Sequence, residues 1–265
     1  MLVLFTFPVT ILGRYAGLSF GCLLSVCFLS FLFFGSTQKI SKKLNLEPLS
    51  VGESPEIHHA VKEFSRRLGL TPPKVTILRT PALNIGAFGL NKNRSTLIVT
   101  EGLLKTLSRA ELTALIGRAL CAIGYGDTLL VTWFSRFLAV LEPFSFSSND
   151  RKSSHRNHFY SLQWVLRQMV ILPLALIPQY LLLNIRRSVN LDLKSINLTR
   201  LPKDLSESYR LLEAMLPRIA CRVPFGTSPL FLTATTPADP LSQLLFSETY
   251  KAKRVAYFSR LVTVS

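Results

Sequence analysis

The sequence is poor in charge, and most of the charge it has is of one sign. Only 17% of its 265 residues are charged, with 31 basic against 15 acidic side chains and a formal net charge of +16. The hydrophobic content of 48% excludes an intrinsically disordered or collagen-like protein and exceeds that of an average soluble domain. Such a basic excess is typical of contact with nucleic acid or an anionic membrane face, and the high mean hydropathy favours the membrane.

Cysteine and histidine are scarce as well. The four cysteines are scattered and form no CxxC pair, which argues against a disulfide framework and against a cysteine zinc site. Two of the four histidines, His155 and His158, lie with Asp150 in a polar stretch. A metal site there is a weaker interpretation than a solvated loop. The other two histidines are the adjacent pair His58 and His59.

Long uncharged runs predict membrane segments. Residues 15–35 carry no charge, and a helix of about 20 apolar residues crosses roughly 30 Å of hydrocarbon. We predict a transmembrane span there, because the charge-poor start and the long apolar stretch fit a signal peptide poorly. Residues 169–185 are also uncharged and predict a second span. Residues 129–141 are apolar except for Arg136 and predict either a span or an interfacial helix, so that 128–185 forms a membrane hairpin.

Basic residues beside these runs bear on orientation. Lysines follow the first run at 39–43, and Arg186 and Arg187 follow the last, which favours a cytoplasmic position for the soluble parts. The basic hairpin loop, residues 151–156, argues for the opposite. We therefore expect an integral membrane protein whose core faces the cytoplasm.

In the soluble part of the chain, the sequence predicts helices around a small sheet. Ser54-Pro55-Glu56 opens a helix that Gly69 ends. Two strand-like runs, 74–79 and 95–100, flank a stretch rich in Gly and Asn, 84–93, which favours an antiparallel sheet.

A second helix signal follows the sheet. Ser108 and Glu111 have the spacing of a capping box, with Leu107 and Leu112 as its hydrophobic staple. The fold class predicted is a mainly α integral membrane protein with a small antiparallel sheet, α+β.

One long run carries a family resemblance. Residues 72–127, PPKVTILRTPALNIGAFGLNKNRSTLIVTEGLLKTLSRAELTALIGRALCAIGYGD, resemble the core of the HtpX-like zinc metallopeptidases, membrane proteases related to the CAAX-prenyl peptidases. The likeness extends back through FGSTQKISKKL and PLSVGESPEIHHAV, and forward to RRSVNLDLKSINLTRLPKDL. The resemblance implies an HtpX-like scaffold in four parts. These are an N-terminal membrane segment, 1–36; a soluble core, 37–127; the hairpin, 128–185; and a second soluble part with a basic tail, 186–265.

The residues that would hold zinc in that family are replaced here. The family's HExxH places two zinc-binding histidines on one helical face and a glutamate beside the metal. The matching residues are Arg118, Ala119 and Ala122. The third ligand, the glutamate of an ExxxD motif, corresponds to Ser188, while the motif's aspartate is kept as Asp192. We therefore predict no metal and no cofactor, although the family uses zinc. We expect Arg118 to pair with Asp192, because a buried carboxylate needs a partner; the alternative is that Arg118 faces solvent or lipid headgroups.

Peptide binding is the family property that can outlast catalysis. The family's NAFA-like motif lies on an edge strand that receives substrate as an added strand, and it matches Asn84, Ile85, Gly86 and Ala87. An ordinary structural hairpin is the other interpretation of these residues. The family's THP-like segment reads TATTP here, with Ala234 at the histidine position.

The preferred function is a catalytically inactive homologue, a pseudopeptidase with a binding or regulatory role, in the family's context of membrane-protein quality control. The alternatives are an active HtpX-like zinc metalloendopeptidase that cleaves membrane or misfolded proteins, and a relic without function. The resemblance implies a bacterial inner membrane as the location. The expected partners are the lipid membrane and peptide segments or another membrane protein. No motif points to nucleic acid.

Overall fold

The computed structural model describes residues 37–141, 185–215, 218–219, 221 and 223–233. The predicted span at 15–35, Ala234 and the basic tail lie outside these residues, as does the second predicted span except for its last residue, Ile185. In chain order the elements are α1 (Gln38–Lys43), β1 (Glu47–Pro48), α2 (Pro55–Arg67), β2 (Lys74–Leu78), β3 (Ile85–Asn91), β4 (Arg94–Thr100), α3 (Glu101–Thr106), α4 (Arg109–Gly124), α5 (Asp127–Leu141), α6 (Ile185–Thr199), α7 (Pro202–Met215) and a 3-10 helix (Phe225–Leu230).

The helix boundaries follow the sequence signals. Helix α2 has Pro55 in its first turn and is followed by Gly69 at a φ of 64°, a backbone conformation that glycine adopts without steric cost. Helix α4 begins with the predicted capping box. The Ser108 amide donates to the Glu111 carboxylate at 2.7 Å, and the Glu111 amide donates to the Ser108 hydroxyl. Both helix starts were therefore predicted correctly.

The sheet is mixed, which corrects the antiparallel prediction. Its strand order is β1-β2-β4-β3, with β1 antiparallel to β2, β3 antiparallel to β4, and β2 parallel to β4. The parallel pair arises because the stretch expected to be a connection, 84–93, contains strand β3. β3 and β4 form a hairpin, and β4 folds back between β3 and β2.

Strand β3 contains two glycines, Gly86 and Gly89, which made this stretch resemble a loop in the sequence. A Cβ at Gly86 would lie 2.7 Å from the carbonyl oxygen of Leu230. Glycine inside a strand commonly marks such a close approach of another backbone. Gly86 is therefore needed in this strand because the backbone at Leu230 lies against it.

Apolar side chains bury both faces of the sheet. On one face Ile85, Leu97 and Val99 pack with α2, α4 and α7 in the larger cluster. On the other face Phe88 and Ile98 join a smaller cluster, whose remaining buried members are Ile40, Leu44, Leu230 and Phe231. The mixed sheet therefore lies between α2 and α4 on one side and α1 and the 225–233 segment on the other.

Residues 129–141, predicted as a span or an interfacial helix, lie within α5. Its inner face is buried at Thr132, Phe134 and Ser135, and the Ser135 hydroxyl donates to the Gly226 carbonyl. No helix among the described residues has, on its own, the length and apolar composition of a membrane span. Helix α4 and the Asp127–Arg136 part of α5 reach that length and apolar composition only as a pair, and they meet at a bend of 81°.

Candidate functional site

The packing of α6 on α4 brings the positions of the two family motifs together. The HExxH positions lie on α4, and the ExxxD positions lie on α6. Gly117 allows this contact, because a Cβ at that position would lie 2.1 Å from Cγ2 of Thr199. Next to this contact, Arg118 of α4 faces Asp192 of α6. Ala122 lies one helical turn after Arg118, so that it shares the same face of α4.

Arg118 and Asp192 form a buried ion pair. Arg118 Nε donates to Asp192 Oδ1 at 2.5 Å, and the two side chains are only 6% and 0% exposed. Charge-assisted hydrogen bonds of this kind are the strong ones, and they matter most where water is excluded. The pairing expected from the sequence is confirmed.

Further polar side chains surround the pair. Tyr209 of α7 donates its hydroxyl to Asp192 Oδ1 at 2.9 Å, and Arg118 Nη2 donates to the Ser188 hydroxyl at 3.4 Å. Ser195 donates to the main-chain carbonyl of Asp192 at 2.8 Å. Asp192 thus receives two side-chain donors on one carboxylate oxygen, as a buried charge requires.

No sequence pattern pointed to Tyr209. It lies outside both motifs, on a helix whose sequence indicates only an amphipathic surface, and its role follows from how α7 packs on α4.

A second ion pair joins Arg187, the residue before Ser188, to Asp127. Arg187 Nε donates to the Asp127 carboxylate at 2.7 Å. It is partly exposed and joins the start of α5 to α6.

The residues at the motif positions do not fit a zinc ion. A guanidinium is always protonated, has no acceptor and repels a metal cation, and Ala119 and Ala122 carry no ligand atom. Zinc sites need three or four nitrogen, oxygen or sulfur ligands. Among the described residues, no three His, Cys, Asp or Glu side chains are grouped so that they could hold a metal. His155 and His158 lie outside those residues.

Cys121 lies within the degenerate motif, yet it has the properties of a packing residue. It is fully buried, and burial raises the pKa of its thiol to about 11, against the smaller opposing effect of Arg118. A thiolate nucleophile needs a lowered pKa and access to substrate, and Cys121 has neither.

The predicted peptide-binding residues occupy the start of β3 and the residue before it, at the outer edge of the sheet. Asn84 to Ala87 are all buried. The main-chain carbonyl of Ile85 accepts from the Leu232 amide at 2.8 Å, and Gly86 forms an isolated antiparallel bridge with Phe231. This part of the edge therefore already pairs with a segment of the same chain.

A model of a known protein family matches the part of the chain that contains these motif positions. The model of peptidase family M48 matches residues 52–192, more than half of the chain. The chain belongs to peptidase family M48. The resemblance drawn from its sequence is thereby confirmed at the level of the family.

Its relatives carry the name protease HtpX. The chain is 27% identical over 259 residues to a protease HtpX homologue of Nostoc punctiforme, covering 95% of this chain and 89% of that one. It is 24% identical over 241 residues to a homologue of Lactobacillus helveticus, covering 82% and 81%. A homologue of Methanothermobacter thermautotrophicus is 34% identical over 121 residues, 46% of this chain and 45% of that one.

A solved structure is also similar. The crystal structure of S. mikatae Ste24p matches with a TM-score of 0.47 and 14% identity, covering 89% of this chain and 57% of that one.

Proposed function

We propose that this member of peptidase family M48 is a membrane-anchored pseudopeptidase, which binds polypeptide segments and does not cleave them. The observation that carries the proposal is the ion pair between Arg118 and Asp192 at 2.5 Å, at the positions where the family motifs meet. The guanidinium of Arg118 contacts Asp192, which is the one acidic residue of the two motifs that this chain retains.

The chemistry of the motif residues supports inactivity. A positioned general base contributes about 10²- to 10⁴-fold to a rate, and the methyl group of Ala119 cannot accept a proton. Ala122 and Ser188 supply neither an imidazole nor a carboxylate. Arg118 carries its charge at every physiological pH, so a change of protonation cannot make it a ligand.

Membrane attachment and quality control belong to the same proposal. The uncharged run at 15–35 supports an anchor, and the lysines of α1 that follow it are exposed at Lys39, Lys42 and Lys43. Exposed lysines beside a span attract anionic lipid headgroups at about 1 kcal/mol each. A role with membrane or misfolded polypeptides, facing the cytoplasm of a bacterium, is proposed from the family context alone.

The test compares the chain with a variant whose motifs are rebuilt. Full-length protein in detergent is analysed for zinc per chain after gel filtration without chelator, and for cleavage of unfolded casein with added zinc. Its counterpart carries Arg118→His, Ala119→Glu, Ala122→His and Ser188→Glu. We expect neither zinc nor cleavage in the natural chain and zinc in the rebuilt one, because α4 and α6 already place the four positions together.

Two results would decide against the pseudopeptidase. Stoichiometric zinc with casein cleavage by the natural chain would establish the active metalloendopeptidase. A folded natural chain that binds neither extended nor unfolded polypeptides would favour a relic without function.

A further inference from the structure

An open cavity of about 630 Å³ lies at the β1 side of the sheet. Its walls come from the end of α1, from β1, from the end of β2 with the residues after it, and from residues 223–224. Among the described residues, those that line the cavity include none from α4 or α6, and β3 lies at the opposite side of the sheet. Ligand cavities commonly measure about 300–1,000 Å³. The cavity is therefore large enough for a small molecule and separate from the motif positions.

One part of the lining is polar and contains Lys43, Glu47 and Arg79. Arg79 Nε donates to Glu47 Oε2 at 2.9 Å, and its Nη2 donates to Glu53 Oε1 at 3.2 Å. A guanidinium has five N–H donors, so Arg79 keeps donors for a ligand. Partial burial lowers the pKa of Lys43, and an anionic neighbour would compensate its ammonium group for the lost water. Two cations and one carboxylate thus line the cavity, a balance that favours an anion.

The other part of the lining is apolar. Leu44 belongs to the smaller apolar cluster, and Leu78 and Val223 pack against that cluster while they remain partly exposed. A ligand with a hydrocarbon portion would cover these side chains, and removing apolar surface from water is favourable. Charged and apolar parts in one cavity fit an amphiphile whose anionic group faces the two cations.

The cavity is also close, along the chain, to segments predicted to meet the membrane. Lys43 is eight residues after the end of the uncharged run 15–35. Because residues 38–43 are helical, this connection spans at most roughly 20 Å. Beyond residues 223–224, the Gly226 backbone lies against α5, since a Cβ on Gly226 would be 2.8 Å from the Cα of Ala139. A membrane supplies one kind of anionic amphiphile in quantity, the acidic phospholipid.

We propose that this cavity binds one anionic glycerophospholipid, with its phosphate at Lys43 and Arg79 and its hydrocarbon on Leu44, Leu78 and Val223. A guanidinium matches the geometry of phosphate oxygens, and a lysine adds a point charge. The inference rests on the membrane attachment proposed above and is independent of catalytic inactivity. A lipid bound at the cavity attaches the soluble core to the membrane at a place remote from the motif positions.

The experiment titrates full-length protein in dodecyl maltoside with dihexanoyl phosphatidylglycerol, a water-soluble anionic phospholipid, and measures the heat of binding. Lys43→Gln should weaken binding at least about tenfold, because the phosphate loses a charge-assisted hydrogen bond. Lys42→Gln is the matched control, since Lys42 is the preceding residue of α1, is exposed and does not line the cavity. Equal affinity of the natural chain and Lys43→Gln would overturn the proposal.

A second pair of variants tests the apolar part of the cavity without a change of charge. Val223→Phe places a larger side chain in the lining and should abolish lipid binding, whereas Val51→Phe, at a residue that is 63% exposed and outside the lining, should not. Glycerol 3-phosphate supplies the phosphate without hydrocarbon, and we expect no measurable binding. If it binds as tightly as the lipid, the lipid is refuted and the ligand is a soluble phosphate ester.

A measurement on the natural chain guards against variants that fail to fold. Acetylation by acetic anhydride, resolved by residue with mass spectrometry, should slow at Lys43 and stay unchanged at Lys42 when the lipid is added at saturation. Unchanged acetylation of Lys43 despite lipid binding would place the lipid elsewhere and refute the proposal.

The proposals made above can fail separately. A full-length chain that does not float with phosphatidylglycerol vesicles would refute membrane attachment, while titration with the soluble lipid still reports on the cavity. Zinc binding and casein cleavage by the natural chain would refute the pseudopeptidase and leave the lipid result unaffected.

Discussion

Arg118 of α4 and Asp192 of α6 are joined by a hydrogen bond of 2.5 Å between Nε and Oδ1, and neither side chain is open to water. They are 74 residues apart in the sequence. The pair connects the two helices that carry the motif positions. Its energetic role can be measured directly.

Removal of the guanidinium should destabilise the protein strongly. Arg118→Ala leaves the Asp192 charge buried without its partner, which typically costs about 3–5 kcal/mol in the free energy of unfolding. The free energy is obtained from urea unfolding in detergent. The matched control is Arg66→Ala, which removes a mostly exposed ion pair with Glu63 and should change it by no more than about 0.5 kcal/mol.

The double variant Arg118→Met with Asp192→Asn separates the loss of the pair from the cost of an unpaired charge. It should be more stable than Arg118→Ala, because no buried charge remains and the amide oxygen introduced at position 192 can still accept from Tyr209. Equal losses in Arg118→Ala and Arg66→Ala would contradict the structural role of the pair.

The hydroxyl of Tyr209 should contribute measurably as well. Tyr209→Phe removes a hydrogen bond of 2.9 Å to a buried carboxylate, and a bond to a charged group is worth about 1.5–3 kcal/mol. Tyr125→Phe is the control, since Tyr125 is 48% exposed and should lose almost nothing. Both are measured by urea unfolding, and a loss for Tyr209→Phe no larger than the control's would show that Asp192 does not need this donor.

The two buried cysteines should be unreactive in the folded protein. Burial raises the pKa of Cys121 and of Cys221 to about 11 from an ordinary 9.0. At pH 8 their thiolate fraction is therefore about 100-fold lower than that of an ordinary thiol. The other two of the four cysteines, Cys22 and Cys27, are replaced by serine so that they do not react. In this variant a thiol reagent should modify neither buried cysteine before urea is added and both afterwards. Rapid labelling of the folded chain would contradict the buried positions.

The same shifts set a pH dependence of stability. Because the folded pKa is raised, the unfolded chain loses these protons first as the pH rises. The free energy of unfolding should therefore fall between about pH 9 and pH 11. Urea unfolding across that range checks the direction. Replacing both buried cysteines with alanine should reduce the slope.

The close contact between α4 and α6 should tolerate no side chain at Gly117. A Cβ there would lie 2.1 Å from Thr199 Cγ2, and overpacking of this kind typically costs about 1–3 kcal/mol. Gly117→Ala should therefore lower the melting temperature, and Thr199→Ser, which removes the clashing methyl group and keeps the hydroxyl, should restore most of it. Gly124→Ala in the same helix is the control, because its nearest neighbour is at an ordinary 3.5 Å. A neutral Gly117→Ala would show that the helices can separate at no cost.

Much of the local structure could be predicted from the sequence, because it depends on neighbours along the chain. The capping box at Ser108 and Glu111 and the end of α2 before Gly69 are determined by residues within one helical turn. The family assignment and the replacement of the HExxH positions by Arg118, Ala119 and Ala122 also follow from the sequence, since a missing ligand atom needs no coordinates to be recognised.

Tertiary structure decided what distant segments do to one another. The glycines of β3 indicated a loop, and only the structure explains why the strand contains them: Leu230 and Phe231 lie against Gly86, and Arg94 and Ser95 of β4 lie against Gly89. That strand made the sheet mixed. Tyr209 became a partner of Asp192 through the packing of α7, and the edge at Asn84 was filled by residues almost 150 positions later. Such contacts depend on which surfaces meet after the helices and strands have formed, and no local pattern determines that.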